Sequence, residues 1–209
     1  MKFRITVSIF ALVLGVHSGC GASRPSKYYQ LTIPGNTPPI ADPHPYPVTL
    51  LLGPVTASDF YRGDRIAYSS GCKGMGTYEY QRWVAPPTEM IQDVLSRELR
   101  TSGRYRAVYS WSSNAHGDYR LRGKLYDFKE VSGNTLVGRV TIELELRDMK
   151  TGSTAWTHFY THDEPVSGKD VPAVVEALDR NVQRGVSEFM ASLDQYFSTH
   201  HPANTAASQ

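Results

Sequence analysis

Between residues 119 and 162 the chain alternates apolar and polar side chains almost without a break. Tyr119, Leu121, Gly123 and Leu125 interleave with Arg120, Arg122 and Lys124, and Val140, Ile142, Leu144 and Leu146 interleave with Arg139, Thr141, Glu143, Glu145 and Arg147. A period of two puts every apolar member on one side of a pleated sheet. Ser132-Gly133-Asn134 and Lys150-Thr151-Gly152 carry turn chemistry, and a third strand runs from Ala155 to His162. The pattern predicts an antiparallel meander with one buried and one solvated face. Its basic and acidic rows can pair across neighbouring strands.

A half-buried sheet needs a cover. Val171, Val174, Val175, Leu178, Val182, Val186, Phe189, Met190, Leu193 and Phe197 keep helical spacing over about residues 171–197, with Asp170 as cap and Pro172 in the first turn. A second helix, about 86–102, opens at Pro86-Pro87-Thr88-Glu89. It carries a stripe of Met90, Ile91, Val94, Leu95 and Leu99, and ends at Gly103. Shorter strands are expected at 27–33, at 48–52 (ended by Gly53-Pro54), at 61–68 and at 105–109. Six prolines between 34 and 47 predict an extended surface loop there, and the glycines of 71–76 predict a hairpin loop. The expected fold is α/β, a mixed, largely antiparallel sheet packed against two main helices.

The N-terminus reads differently. Lys2 and Arg4 precede a largely apolar run, Ile5 to Val16, and then His17-Ser18-Gly19-Cys20. Charges, a short apolar stretch and small residues are the layout of a secretory signal. The run is about 12 residues, against the ~20 needed to cross a bilayer as a helix. A cysteine directly after the small residues points to a bacterial lipoprotein signal, in which Cys20 is acylated and becomes the mature N-terminus. His17 stands where an aliphatic residue is usual, so an ordinary cleaved signal with an incidental Cys20 is the alternative. The expected division is a signal peptide at 1–19, a lipidated tether at 20–27, a domain at 28–197 and a disordered tail at 198–209. The second cysteine, Cys72, is then a lone thiol; without acylation a Cys20–Cys72 disulfide becomes available.

Composition excludes several functions. The chain has 22 basic and 20 acidic side chains, and two of the basic ones lie in the leader, leaving 20 of each. Neither a basic excess nor a basic stripe is present to draw nucleic acid. There is no Gly-x-Ser-x-Gly, His-Glu-x-x-His, Cys-x-x-Cys or Walker motif. His158 and His162 fall on one face of a strand but ~13 Å apart, too far to share a metal. Asp163 and Glu164 read as a solvated pair beside Pro165, and Arg62-Gly63-Asp64 as turn chemistry rather than an adhesion signal. No catalytic, metal or cofactor site is expected, and the chain reads as no enzyme.

Several segments together resemble one family: Tyr28-Tyr29-Gln30-Leu31 soon after Cys20; Gly53-Pro54-Val55, Tyr61-Arg62 and Ile66-Ala67-Tyr68; Arg82-Trp83 with Pro86-Pro87 and Met90; Tyr119-Arg120-Leu121-Arg122-Gly123; and Asp148 through Gly152 followed by Trp156. In this order they resemble the ABC-type transport auxiliary lipoprotein family, over about residues 28–197. His17 and the glycine-rich 71–76 depart from it. The resemblance implies a lipoprotein at the periplasmic face of the outer membrane, anchored by diacylglyceryl and N-acyl chains on Cys20. Gly21, rather than Asp, after the cysteine agrees with outer-membrane sorting. It also implies partnership with an MCE-domain protein and an ABC permease and ATPase, and a role in moving lipids or other apolar molecules between membranes. The implied fold is akin to the N-terminal domain of the Tol–Pal β-propeller protein, and a homo-oligomer is compatible with it. Tyr61, Arg62, Tyr78, Tyr80 and Trp83 are the candidate partner-binding residues; the aromatics among them serve equally well as core. The rival class is a lipoprotein cofactor of cell-wall synthesis or a secretion-pore subunit.

Overall fold

Strict alternation at 119–162 becomes three long strands in the computed structural model, which describes residues 24–33, 46–70 and 74–200. In chain order the elements are β1 (Lys27–Tyr29), β2 (Tyr46–Ala57), a 3-10 turn at Asp59–Tyr61, β3 (Arg65–Ser70), β4 (Gly74–Trp83), α1 (Pro87–Thr101), β5 (Tyr105–Ser110), β6 (Tyr119–Ser132), β7 (Leu136–Asp148), β8 (Thr154–Pro165) and α2 (Val171–Thr199). The meander β6–β7–β8 is antiparallel throughout, with Leu121 opposite Leu146, Leu125 opposite Ile142, and Ile142 opposite Tyr160.

β6 is the hub of the sheet. One of its edges pairs with β7 along its whole length. Its other edge is shared: Tyr119–Leu125 runs parallel to β2, and Lys129–Ser132 runs parallel to β3. Beyond these, β5 lies parallel to β2, β4 folds back antiparallel to β3, and β1 lies parallel to β4. The sheet is mixed as expected. Antiparallel pairing dominates by ladder length, because β6–β7 and β7–β8 are the longest ladders, although more of the pairings are parallel.

Both helices lie on one face. α1 packs on β2 and β5, and α2 packs on β7 and β8. The alternating apolar residues meet the helix stripes there: Leu50, Ile66, Leu95, Leu121, Leu146, Leu178, Leu193 and Phe197 are almost wholly buried. α2 comes close to β7 at Gly138, where a Cβ would stand 3.1 Å from the Leu178 backbone nitrogen. Asp170 caps α2 as expected, accepting a hydrogen bond from the Ala173 amide at 3.1 Å. Gly103, at φ 63°, ends α1.

Several expectations need correction. β2 is longer than 48–52 because it passes through both Pro47 and Pro54. Each proline sits at a register irregularity, between Tyr46 and Thr49 and between Leu52 and Val55. A bulge absorbs the missing amide donor that would otherwise break a ladder. β1 stops at Tyr29; Leu31 is buried from a non-strand segment and Ile33 is exposed. The strand expected at 61–68 begins only at Arg65, with Tyr61 in the 3-10 turn. β4 was not anticipated, since Gly74-Met75-Gly76-Thr77 lacks apolar alternation. Ser198 and Thr199, expected in a disordered tail, are the last turn of α2. The signal at 1–19 with Cys20, most of the proline-rich stretch, Cys72 and the tail from 201 lie outside the described residues.

The opposite face of the sheet is not simply wet. The segment 111–118 folds over the β2 end of it. The Trp111 amide donates to the Leu52 carbonyl at 2.9 Å, and Asp118 Oδ2 accepts from the Thr49 amide at 2.7 Å. Leu51 is buried beneath this segment, against Gly117, where any Cβ would collide with it.

Candidate interaction surface

The five candidate partner-binding residues separate into two groups. Tyr61 and Trp83 are core, with exposures of 3% and 1%, which is the second of the two roles open to them. Trp83 packs on Phe128, ring centroids 5.3 Å apart. Tyr61 reaches Asp127 Oδ1 at 3.2 Å, and burial first, then the Asp127 charge, pushes its phenol well above the usual range. Tyr78 is half-buried. It packs on Tyr68 at 5.0 Å and donates to Glu130 at 2.7 Å, and burial with that hydrogen bond raises its phenol too. Apolar contact on one side and a single satisfied hydroxyl on the other make these tyrosines structural.

Arg62 and Tyr80 remain accessible. Arg62 is exposed and pairs with Asp59 at 2.5 Å, a solvated bridge worth little in stability. Tyr80, on β4, lies beneath the Arg24 guanidinium, 5.6 Å from its ring centroid. The N-terminal end of the described chain is therefore held at the β1–β4 edge. Tyr28 and Val84 are also exposed there, and the Val84 amide donates to the Tyr29 carbonyl.

A second accessible surface escaped the sequence reading. On the open face of β6–β8, Trp111, Tyr126 and Phe159 are exposed. Tyr126 and Phe159 lie 6.1 Å apart across the sheet. Charges surround them: Arg122 donates twice to Glu145, and Arg139 makes a two-point contact with Asp163 at 2.6 and 2.7 Å. These bonds hold Glu145 and Asp163 below the usual carboxylate range. The cross-strand pairing of basic and acidic rows is thus realised at Arg122–Glu145. Sequence alternation marked Arg122, Arg139 and Glu145 as outward-facing, but did not reach the aromatics beside them.

Between α1, α2 and the sheet lies a narrow apolar cleft lined by Ile91, Leu95, Ile142, His158, Val186 and Phe189. His158 Nε2 is buried there without a hydrogen-bond partner among the described residues, and its ring stacks on Trp156 at 5.7 Å. His158 and His162 stay separate: His162 turns to Glu164 at 3.4 Å. Glu164 also receives Arg180 and Arg184. Among the described residues no group of three or more His, Cys, Asp or Glu could hold a metal ion, and no helix is long and apolar enough to cross a membrane.

These features define an α/β domain with two helices on one side of a mixed sheet and a polar, aromatic-studded face on the other. The chain belongs to the ABC-type transport auxiliary lipoprotein family, whose model matches residues 29–190. The fold is shared with distant solved structures. A protein of Xanthomonas campestris superposes with a TM-score of 0.72 at 18% identity, covering 83% of this chain and 98% of that one. An uncharacterised protein gives 0.64 at 13% identity, covering 81% and 99%. A hypothetical protein of Chlamydia trachomatis gives 0.56 at 9% identity, covering 74% and 99%. No functionally curated protein matches the chain.

Proposed function

We propose that this protein is a non-catalytic component of an MCE-type ABC transport system, anchored through acylated Cys20 at the periplasmic face of the outer membrane. There it helps lipid or another apolar cargo pass between the two membranes. The family match carries the reading: it begins at residue 29, just after the lipoprotein-type leader that ends in Cys20. The acyl chains supply roughly 0.8 kcal/mol per buried methylene. Arg24 is fixed on Tyr80, and the four residues from Cys20 to Arg24 span at most ~14 Å. The β1–β4 edge, with Tyr28, Tyr80 and Val84, then lies against the bilayer, and Arg62 and the open sheet face are left for docking. A separate ATPase supplies the energy, since this chain has no nucleotide-binding motif. A fold akin to the N-terminal domain of the Tol–Pal β-propeller protein belongs to the same reading.

The test is partner capture. The full chain, tagged at its C-terminus and crosslinked in its native envelope, should co-purify with an MCE-domain protein and a permease. Recovery of a penicillin-binding protein or a secretion-pore subunit in their place would transfer the chain to the rival class.

A further inference from the structure

The open face of the sheet holds a cleft of about 310 Å3 between Thr56 of β2, Arg120, Arg122 and Lys124 of β6, and Glu143 and Glu145 of β7. Both of its carboxylates are already engaged. Glu145 accepts from Arg122 at 2.9 and 2.7 Å and from the Thr154 hydroxyl at 2.8 Å, and Glu143 accepts from the Tyr126 hydroxyl at 2.7 Å. Among the described residues two of the three cations meet aromatic rings instead of carboxylates. The Arg120 guanidinium lies 4.2 Å from the Trp111 ring centroid and the Lys124 ammonium 4.8 Å from that of Tyr126. Neither makes a salt bridge among the described residues, whereas Lys129 and Arg139 on the same sheet pair with Asp127 and Asp163.

Two further observations mark Arg120. Its Nε is buried and has no acceptor among the described residues. Its cross-strand partner is Arg147, a cation opposite a cation, and the charge of Arg147 already acts on Glu145. A guanidinium stacked by its face keeps its in-plane N–H donors free. Trp111 and Tyr126 therefore hold two cations in place without neutralising them. Arg120 and Lys124, which line the cleft together, can both donate to the oxygens of one bound anion.

We propose that this cleft binds a phosphate group, with Arg120 as the planar fork and Lys124 as the point charge. That chemistry has two sources, a phospholipid headgroup and free phosphate. Because Trp111 stacks on Arg120, its fluorescence reads the site. The full chain in neutral-detergent micelles is titrated with inorganic phosphate and, separately, with dihexanoyl phosphatidylglycerol below its micelle-forming concentration. The expected result is a saturable change in emission that is absent in Trp111→Phe. Affinity should fall about tenfold or more in the Arg120→Gln/Lys124→Gln double variant, through loss of charge-assisted hydrogen bonds. Lys124→Gln alone, a change at an exposed side chain, should weaken binding without disturbing the fold. Tighter saturation by the short-chain lipid identifies the headgroup as the source, and the reverse order identifies free phosphate. No saturable response in either titration, unchanged affinity in both variants, or stronger competition by a hexaglutamate peptide than by either phosphate probe overturns the assignment.

Discussion

Asn181 is wholly buried, and each polar end of its side chain is engaged. Its Nδ2 donates to the carbonyls of Gly138 and His162, both at 2.8 Å, and its Oδ1 accepts from the Tyr160 hydroxyl at 2.7 Å. One side chain thereby ties α2 to β7 and β8. Asn181→Leu would leave two carbonyls without that donor, and it should cost about 2–4 kcal/mol in denaturant unfolding. A loss below about 0.5 kcal/mol would show that the bond set contributes little. Gly138→Ala should destabilise by about 1–3 kcal/mol, because the new methyl meets helix backbone that cannot rotate away. Titration is the other residue-scale prediction. Burial first, then Asp194, pushes Tyr46 up to about 12, and burial does the same to Tyr160. The unfolded chain releases these protons near 10. Their contribution to stability is intact below pH 10 and is lost as pH rises from 10 to about 12. Burial alone would raise Asp194 and Glu164, but Arg104 with Tyr46, and Arg180 with Arg184, hold them below the usual range. With Glu145 and Asp163 they make the acid side opposite in sign: stability is present above about pH 4.5 and falls as the depressed pKa values are crossed. Denaturant midpoints across pH 3–12 should trace a plateau falling at both ends. A flat profile from pH 10 to 12 would contradict the buried-phenol account.

Elements differ in how firmly the fold holds them. Among the described residues β6 is paired along both edges, whereas β8 is paired along one only and β1 is three residues long. Amide hydrogen exchange should therefore be slowest in β6 and β7 and faster in β8 and β1; equal protection of β1 and β6 would show this hierarchy to be wrong. The last turn of α2 is pinned by Phe197, whose ring lies 5.3 Å from Tyr46, 5.8 Å from Tyr105 and 5.3 Å from Tyr119. Phe197→Ala should cost about 3–5 kcal/mol, measured by denaturant unfolding. The meander and both helices were legible because their periods of 2 and 3.6 persist over a dozen residues or more. β4 was not, since its glycines break the period. The parallel pairings were not legible either, because which strand lies beside β6 depends on contacts far apart in sequence. Pro47 and Pro54 misled for a local reason: a bulge tolerates what a regular ladder does not.

For the whole molecule, sequence order of weak motifs sufficed to place the chain in its family, while composition could not say which aromatics face outward. Tyr61 and Trp83 are aromatic, as Trp111 and Phe159 are, yet one pair fills the core and the other stands in solvent. Strand register decides the matter for Trp83 and Phe159, whereas Tyr61 and Trp111 lie off the strands, where the path of their own segments decides it. What the molecule does then rests on where it is held. If Cys20 is the acylated N-terminus, Cys20→Ala should leave the folded domain intact and release it from the membrane fraction. The most direct measurement is mass spectrometry of the mature protein isolated from its native envelope. The account predicts an N-terminal peptide beginning at Cys20 and bearing diacylglyceryl and N-acyl groups. A mature chain that begins elsewhere, or carries an unmodified Cys20, would contradict it.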